Sequence, residues 1–429
     1  MPSSQSPDTS TDRRGDGSPP SGGDASDAAS RKRWLRRDVI GTTVLGGAVL
    51  GGGALALQDG PLFGSTRSRF EAVVRDGDRL LVVGHEFDTD GNRTHRIVLS
   101  LDEGGDPVWQ VVSRIRDEQP HVQAAIRRGQ ESLITLEEVF APASRDETTR
   151  RPAELRGYEE GRLAASVRFP PAADLEGALA IDGRRGFAVG RRPVEGATDG
   201  YESVLWGFRT DLVDDPVALA TSSTIHLNGV AVEGDERILT GSDDDGVVQQ
   251  WTGTFARGEG PLEDSWRSWN GGDPPDPLDL ASAVTGRTHD PGTVGSVVST
   301  RDGYVAGAGG STVSGVRGLT AAGETRWQSD TRFVSVDALA ARNGRGWALV
   351  GEGGDHETVL QTGDGDGRQY WRTDLTGRLE TADIAAAPGG GIVAVGQDAG
   401  DTASGRVLCL GAHADEQWAH RYSPGDSDA

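Results

Sequence analysis

One short pattern recurs along most of the chain: three mostly apolar residues closed by a glycine. Its copies end at Gly84, Gly190, Gly241, Gly307, Gly351 and Gly396. Most neighbouring copies are 44 to 51 residues apart, with one interval of 66 and one of 106. The interval of 106 is two repeats long and holds a copy without the glycine, Ser132-Leu133-Ile134-Thr135-Leu136. The interval of 66 carries an insertion, Gly271 to Gly292, rich in Pro, Asp and Gly and expected as a loop ahead of the first strand of a blade. A unit this short cannot bury a core of its own, so each copy must bury its apolar face on the next.

Each unit reads as four strands. Val334 to Leu375 is the cleanest copy: an apolar run, a turn, a second run ending in Gly351, a third run from Thr358, a Gly/Asp turn and Trp371. With 63 Gly and no long 3.6-residue periodicity after residue 60, short strands joined by tight turns are expected rather than helices. Two β-sandwich domains also offer regular short strands, but not this self-similar spacing of Gly and Trp. The expectation is an all-β chain: a β-propeller over residues 65–422, with seven four-stranded blades and six or eight as alternatives. The count is open because the copies at Leu133 and Phe187 have no Trp in the fourth strand, and Trp206 falls in a third strand.

The closing segment has a signature of its own. Leu101-Asp102-Glu103-Gly104-Gly105-Asp106-Pro107-Val108-Trp109 reads L-D-x-x-G-x-x-x-W, and Leu319 to Trp327 reads L-T-x-x-G-x-x-x-W. Gly367 to Trp371 keeps G-x-x-x-W, and Leu410 to Trp418 has Ala414 in the glycine place. These units resemble the repeats of quinoprotein-like (PQQ-like), WD40-like β-propellers and the Gly-rich Trp repeats of exported prokaryotic proteins. A quinoprotein enzyme would carry a quinone on the propeller axis, with Arg or Lys on its carboxylates, a Ca²⁺ ligand set and an Asp base. Such a site is assembled from several blades, and no local motif marks it here. The leading expectation is a binding or interaction module whose ligand is a protein, a glycan or a small molecule. A quinoprotein-like dehydrogenase using PQQ and Ca²⁺ is the alternative.

Charge narrows the partners. The formal net charge is -23, and Lys32 is the only lysine. An acidic, Lys-poor surface suits concentrated salt, where charges are screened within about 3 Å at 1 M. A GC-rich genome with acidic drift gives the same composition. Either origin argues against general nucleic-acid binding, which needs a positive footprint. Cys409 excludes an internal disulfide because it is the only cysteine, and it lies in the apolar run Val407 to Leu410 as a small core residue.

The N-terminus reads as an address. Residues 1–35 are rich in Ser, Pro, Gly and Asp and are expected to be disordered. Arg36 and Arg37 precede an uncharged, Gly-rich stretch ending in Ala54-Leu55-Ala56, so residues 36–57 resemble a twin-arginine export signal with an A-x-A cleavage site. Residues 39–57 are also about long enough to stay as a membrane anchor. The expected location is outside the cytoplasm, free or held on the outer face of the cytoplasmic membrane.

Asp88-Thr89-Asp90-Gly91-Asn92 has the D-x-D-x-N spacing of a calcium loop's first ligands, which makes Asp88, Asp90 and Asn92 weak metal candidates. Position twelve is Leu99 rather than Glu, which excludes a helix-loop-helix calcium hand. Asp243-Asp244-Asp245 and Asp364-Gly365-Asp366 are similar clusters, and hairpin turns favour such residues on conformational grounds alone. Eight histidines are scattered; His85 and His356 both follow a second strand. No nucleophile elbow, P-loop or metalloprotease spacing occurs.

Overall fold

The computed structural model describes residues 67–115, 119–140, 152–170, 173–194, 200–233, 236–244, 248–256, 276–280, 285–290, 294–308 and 315–424, apart from 322, 332, 343–345 and 355. The expected N-terminal segment and export signal, with Arg36, Arg37, Ala54 and Ala56, lie outside these residues, as does Asp245. Among the described residues no helix is long and apolar enough to cross a membrane.

Among the described residues, twenty-nine strands form seven sheets arranged as a β-propeller. Blade 1 comprises β1 (Arg67–Asp76), β2 (Arg79–Phe87), β3 (Arg93–Leu101) and β4 (Pro107–Arg114). Blade 2 comprises β5 (Gln119–Gly129), β6 (Ser132–Phe140), β7 (Glu154–Glu159) and β8 (Arg162–Arg168). In blade 3 are β9 (Asp174–Asp182), β10 (Arg185–Pro193), β11 (Tyr201–Arg209) and β12 (Val217–Ser222). Blade 4 is built from β13 (Ile225–Glu233), β14 (Glu236–Asp244), β15 (Val248–Ala256) and β17 (Thr285–Asp290). Blade 5 holds β18 (Val294–Thr300), β19 (Gly303–Ala308), β20 (Gly315–Leu319) and β21 (Thr325–Asp330). Blade 6 holds β22 (Ala338–Arg342), β23 (Gly346–Glu352), β24 (Thr358–Gly363) and β25 (Gln369–Asp374). Blade 7 closes the chain with β26 (Leu379–Ala386), β27 (Ile392–Asp398), β28 (Gly405–Leu410) and β29 (Glu416–Tyr422). Six sheets have four antiparallel strands; blade 3 gains a fifth, β16 (Leu278–Asp279), parallel to β12. Both β16 and β17 come from the Gly271 to Gly292 stretch, so this insertion is not a loop ahead of a first strand: it supplies the fourth strand of blade 4, and the long connection lies between that blade's third and fourth strands.

The core is a ring of junctions. Seven apolar clusters are present among the described residues, and each spans two adjacent blades. Strand alternation makes this possible: Leu80 and Val82 of β2 face blade 7, and Leu81 and Val83 face blade 2. Each such side chain gains about 1.5–3 kcal/mol by burial. The first strands β1, β5, β9, β13, β18, β22 and β26 touch in succession around the centre. The last junction is closed by face packing, and among the described residues no strand is exchanged between blades 7 and 1. Polar bonds reinforce it: Ser68 Oγ donates to Tyr422 O at 2.8 Å, and Tyr422 Oη donates to Glu86 Oε1 at 2.6 Å.

The recurring glycine has a steric cause. In β1, β13 and β26 the register shifts by one residue opposite Gly84, Gly241 and Gly396. The first strand therefore crosses close over the glycine. A Cβ at Gly84, Gly241, Gly351 or Gly396 would collide with the carbonyl oxygen of Arg69, His226, Ser335 or Glu380 respectively.

The Gly and Trp of the closing signature are partners across a junction. The turns at Asp102, Thr320, Asp364 and Gly411 share one geometry: the first residue's N–H bonds the carbonyl four residues on, and the fourth residue's N–H bonds back to the first. That fourth residue is left-handed, with φ 83° at Gly105, 84° at Gly367 and 64° at Ala414. The Trp of the preceding blade then covers the turn. Trp418 of blade 7 lies on Gly105 of blade 1, and Trp327 of blade 5 lies on Gly367 of blade 6. Their indole N–H groups donate to Glu103 O (2.8 Å) and Gly365 O (2.6 Å), two residues before the glycine. Trp109 meets Gly161 in the same way, but Glu160 and Gly161 form a two-residue turn and the indole nitrogen has no partner.

Candidate functional site

The register shifts that explain the glycines also re-aim side chains at the ring centre. In β1 the extra residue between Phe70 and Ala72 is Glu71; in β5, between Val122 and Ala124, it is Gln123; in β26, between Thr381 and Asp383, it is Ala382. These segments, with Leu175 and Gly177 of β9, line an open cavity of about 380 Å³ with walls from four blades. Arg69, Glu71, His121, Gln123 and Thr381 supply its polar lining.

Glu71 is buried and accepts three hydrogen bonds. Its Oε1 accepts from Arg93 at 3.0 Å, and its Oε2 accepts from His85 Nδ1 at 2.9 Å and from the Val122 N–H of blade 2 at 2.9 Å. Burial alone would raise its pKa; His85 and Arg93 outweigh that and hold it well below the usual carboxylate range. Burial, reinforced by Arg96 and Arg93, pushes His85 below the ordinary imidazole range despite Glu71. The ring is thus neutral at pH 7 with its hydrogen on Nδ1, and Nε2 is buried without a partner. Burial likewise pushes His121 down, so it also stands neutral beside the cavity.

Behind Glu71 the charge continues into blade 2. The register pairs Val122 with Glu137, as it pairs Phe70 with Gly84, so Glu137 occupies the glycine position of its blade. Its side chain is completely buried, and it accepts from Arg96 Nη2 (2.5 Å), Thr135 Oγ1 (2.7 Å) and Tyr158 Oη (3.1 Å). Arg156 lies 3.4 Å away and is held by Glu154. Arg96 and Arg156 keep the Glu137 pKa low against the desolvation that would raise it. The Arg96 guanidinium also stacks 5.5 Å over the Tyr158 ring.

The residues singled out from sequence fall elsewhere. Asp88 closes a turn between β2 and β3: its Oδ1 accepts from the N–H groups of Asp90 (2.9 Å) and Asn92 (2.8 Å), and Asn92 Nδ2 reaches Oδ2 at 3.0 Å. Gly91 is left-handed. This is the same turn as those at Asp102 and Asp364, whose carboxylates also accept two backbone N–H groups. Asp88 and Thr89 border a second depression of about 320 Å³ with Arg67, Thr402 and Ala403. Among the described residues no three His, Cys, Asp or Glu side chains stand together as a cation site. His356 is an exposed turn residue beside Glu352, whereas His85 is buried between blades 1 and 2. Cys409 is buried in the blade 7/1 core, and burial, with Asp415 adding to it, pushes its thiol up to about 11.

The described lining does not suit a PQQ-type quinone. That cofactor is a flat tricarboxylate. The cavity offers one Arg, no Lys and no Phe, Tyr or Trp to stack against it.

Sequence reasoning missed Glu71, Arg93, Arg96 and Glu137, and singled out His85 only as a residue after a second strand. The available signal was the one second strand without its glycine. Glu137-Glu138 directly follow the apolar run there.

No family model matches the chain, and no curated protein matches it. Among solved structures it is similar to that of U3-55K, at 10% identity, over 69% of this chain and 79% of that one, with a TM-score of 0.42. It is also similar to Sqt1 of Saccharomyces cerevisiae (9% identity, 83% and 86% covered, TM-score 0.43) and to a eukaryotic initiation factor (10%, 84% and 97%, TM-score 0.37).

Proposed function

We propose that the chain is an exported β-propeller binding module, adapted to high salt, whose ligand enters the cavity at the ring centre. The observation that carries this is the cavity itself. Blades 7, 1, 2 and 3 each contribute wall, and the blade 1 and 2 walls are held by buried charges. Buried ion pairs of this kind are weak stabilisers, so a role in fixing the shape of a site is the better reason for them. Export is supported by Arg36 and Arg37 ahead of the Gly-rich apolar stretch, and salt adaptation by the net charge of -23 with one lysine.

A photo-crosslinking residue placed at Thr381, and separately at the exposed Tyr370, tests the binding site in cells of the source organism. Adducts from the cavity position and none from Tyr370 are expected. Adducts from Tyr370 alone would move the site to the outer edge. Cell fractionation of an Arg36→Lys, Arg37→Lys variant tests the address: the chain should be retained in the cytoplasm. Unchanged location would remove the twin-arginine reading.

A further inference from the structure

Asn92-Arg93-Thr94 is an Asn-x-Thr sequence whose middle residue is not proline, the acceptor pattern for an asparagine-linked sugar. The chain has four asparagines, and the other three, Asn228, Asn270 and Asn343, are each followed by Gly and then by a residue without a hydroxyl. The pattern is short, so its place in the fold decides whether it can act. Asn92 stands in the turn between β2 and β3, one residue beyond the last pair of their ladder, Phe87 with Arg93. Thr89 and Asp90 at the tip of this turn are exposed, and Asn92 is half-buried. Thr94 is the extra residue where the β2–β3 register shifts, and its hydroxyl makes a long bond, 3.3 Å, to the Glu86 carbonyl. The acceptor nitrogen and the hydroxyl that a transferase must read therefore lie together at a hairpin end where the ladder is already interrupted.

The local bonding accommodates a sugar. Asn92 Nδ2 carries two hydrogens. Asp88 accepts from it through Oδ2 at 3.0 Å, with Oδ1 at 3.4 Å, a shared contact that one hydrogen meets. The other hydrogen can be replaced while Asp88 Oδ1 keeps the N–H groups of Asp90 and Asn92, so the turn survives the modification. Asp88 and Thr89 also border the open depression of about 320 Å³ between blades 7 and 1, which has Arg67 and Thr402 on its other sides and leaves room beside the turn for a hydroxyl-rich group. Resting on the reading of the chain as exported, we propose that Asn92 carries an N-linked glycan outside the cytoplasm. Twin-arginine export carries folded chains, so an acceptor has to lie in a surface turn, as Asn92 does. The donor is a glycosyl phosphate or diphosphate. The Asn92 amide nitrogen forms the bond to the anomeric carbon, and the bond from that carbon to the phosphate oxygen breaks. The phosphate leaves with the electron pair, and one Nδ2 proton passes to a base of the transferase.

Peptide mass spectrometry of the full chain, recovered from outside the cytoplasm of the source organism, tests this. The peptide holding Asn92 should be heavier than its sequence by whole sugar residues, and fragmentation should place them on Asn92. Asn92→Gln and Thr94→Val should each lose that mass completely, and Thr94→Ser should retain it. Thermal melts show which variants fold. Thr94→Val exchanges a hydroxyl for a methyl group and keeps Asn92, so loss of the sugar from a folded Thr94→Val chain reads acceptor recognition rather than damage to the turn. The Arg36→Lys, Arg37→Lys chain held in the cytoplasm should carry no sugar. An exported chain with unmodified Asn92, or a sugar indifferent to Thr94→Val, overturns the inference and leaves the export reading standing. A native chain found only in the cytoplasm overturns both.

Discussion

Blades 2 and 6 are built on one plan and diverge at the same two positions. Blade 6 has Gly351 under the crossing carbonyl of Ser335, and its turn glycine, Gly367, receives Trp327 from blade 5. The charged residues of that turn, Asp366 and Arg368, are exposed. Blade 2 has Glu137 where blade 6 has Gly351, and its fourth strand, Arg162 to Arg168, has no Trp. Arg96 reaches across from blade 1 to meet that carboxylate. The difference separates scaffold from site. Where the repeat is intact, as in blade 6, backbone and indole interlock. Where the glycine is lost, a carboxylate enters the junction behind the cavity wall; the charges that line the cavity itself, Arg69 and Glu71, come from blade 1, which keeps its glycine.

The largest expected effect breaks the charged side of that comparison. Glu137→Ala leaves Arg96 and Arg156 buried with reduced compensation and should cost about 3–5 kcal/mol in chemical unfolding. A loss below 1 kcal/mol would mean that water already screens the pair. The intact side is tested next: Gly351→Ala drives a methyl group against the Ser335 carbonyl and should cost about 1–3 kcal/mol. The same change at Gly307 meets side chains rather than backbone, Leu349 and Val336 at 3.2 Å and Ser296 Oγ at 3.7 Å, and should cost less.

A third expectation concerns pH at the ring closure. Asp383 of blade 7 accepts the N–H of Val73 in blade 1 at 2.9 Å, and burial, opposed by that bond and the Ile384 N–H, pushes its carboxyl up to about 7. Between the unfolded value of 3.8 and that folded value, the folded chain holds a proton the unfolded chain has released. Stability from this group is therefore present at low pH and lost as pH rises toward and through 7. Glu71 and Glu137 act in the opposite sense: their folded pKa values are depressed, so their contribution is full above 4.5 and is lost as pH falls. Thermal melts of Asp383→Asn should lose the decline between pH 4 and 8 and keep the acid limb. A decline unchanged in the variant would assign it to another group. The smallest effect is expected at Ala414, which is left-handed where the sister turns have Gly. Ala414→Gly should gain up to about 1 kcal/mol, read as a small rise in melting temperature.

The propeller was legible because its determinants are local and repeated. Glycines under a crossing strand and glycines at left-handed turn positions are imposed by backbone geometry, so they recur wherever the geometry does. Asp88, Asp90 and Asn92 drew notice as ligands because the residues that close a five-residue turn are also cation ligands; spacing alone does not separate the two. The cavity was not legible. Arg69, Gln123 and Thr381 are far apart in sequence, Thr381 meets the other two only through ring closure, and each looks like an ordinary strand residue. Glu137 left a trace, as a missing glycine, but its partner Arg96 lies 41 residues away, and no pattern ties the two.

A double-mutant cycle between Arg96 and Glu137 tests the account most directly. Urea unfolding would be measured for the native chain, Arg96→Met, Glu137→Gly and the double variant, which gives blade 2 the glycine of its sisters. The account predicts that each single change is strongly destabilising and that the double variant recovers much of the loss, with a coupling of about 2–3 kcal/mol. Additive losses, with no recovery in the double variant, would contradict the claim that a buried charge pair has taken the place of the repeat's glycine.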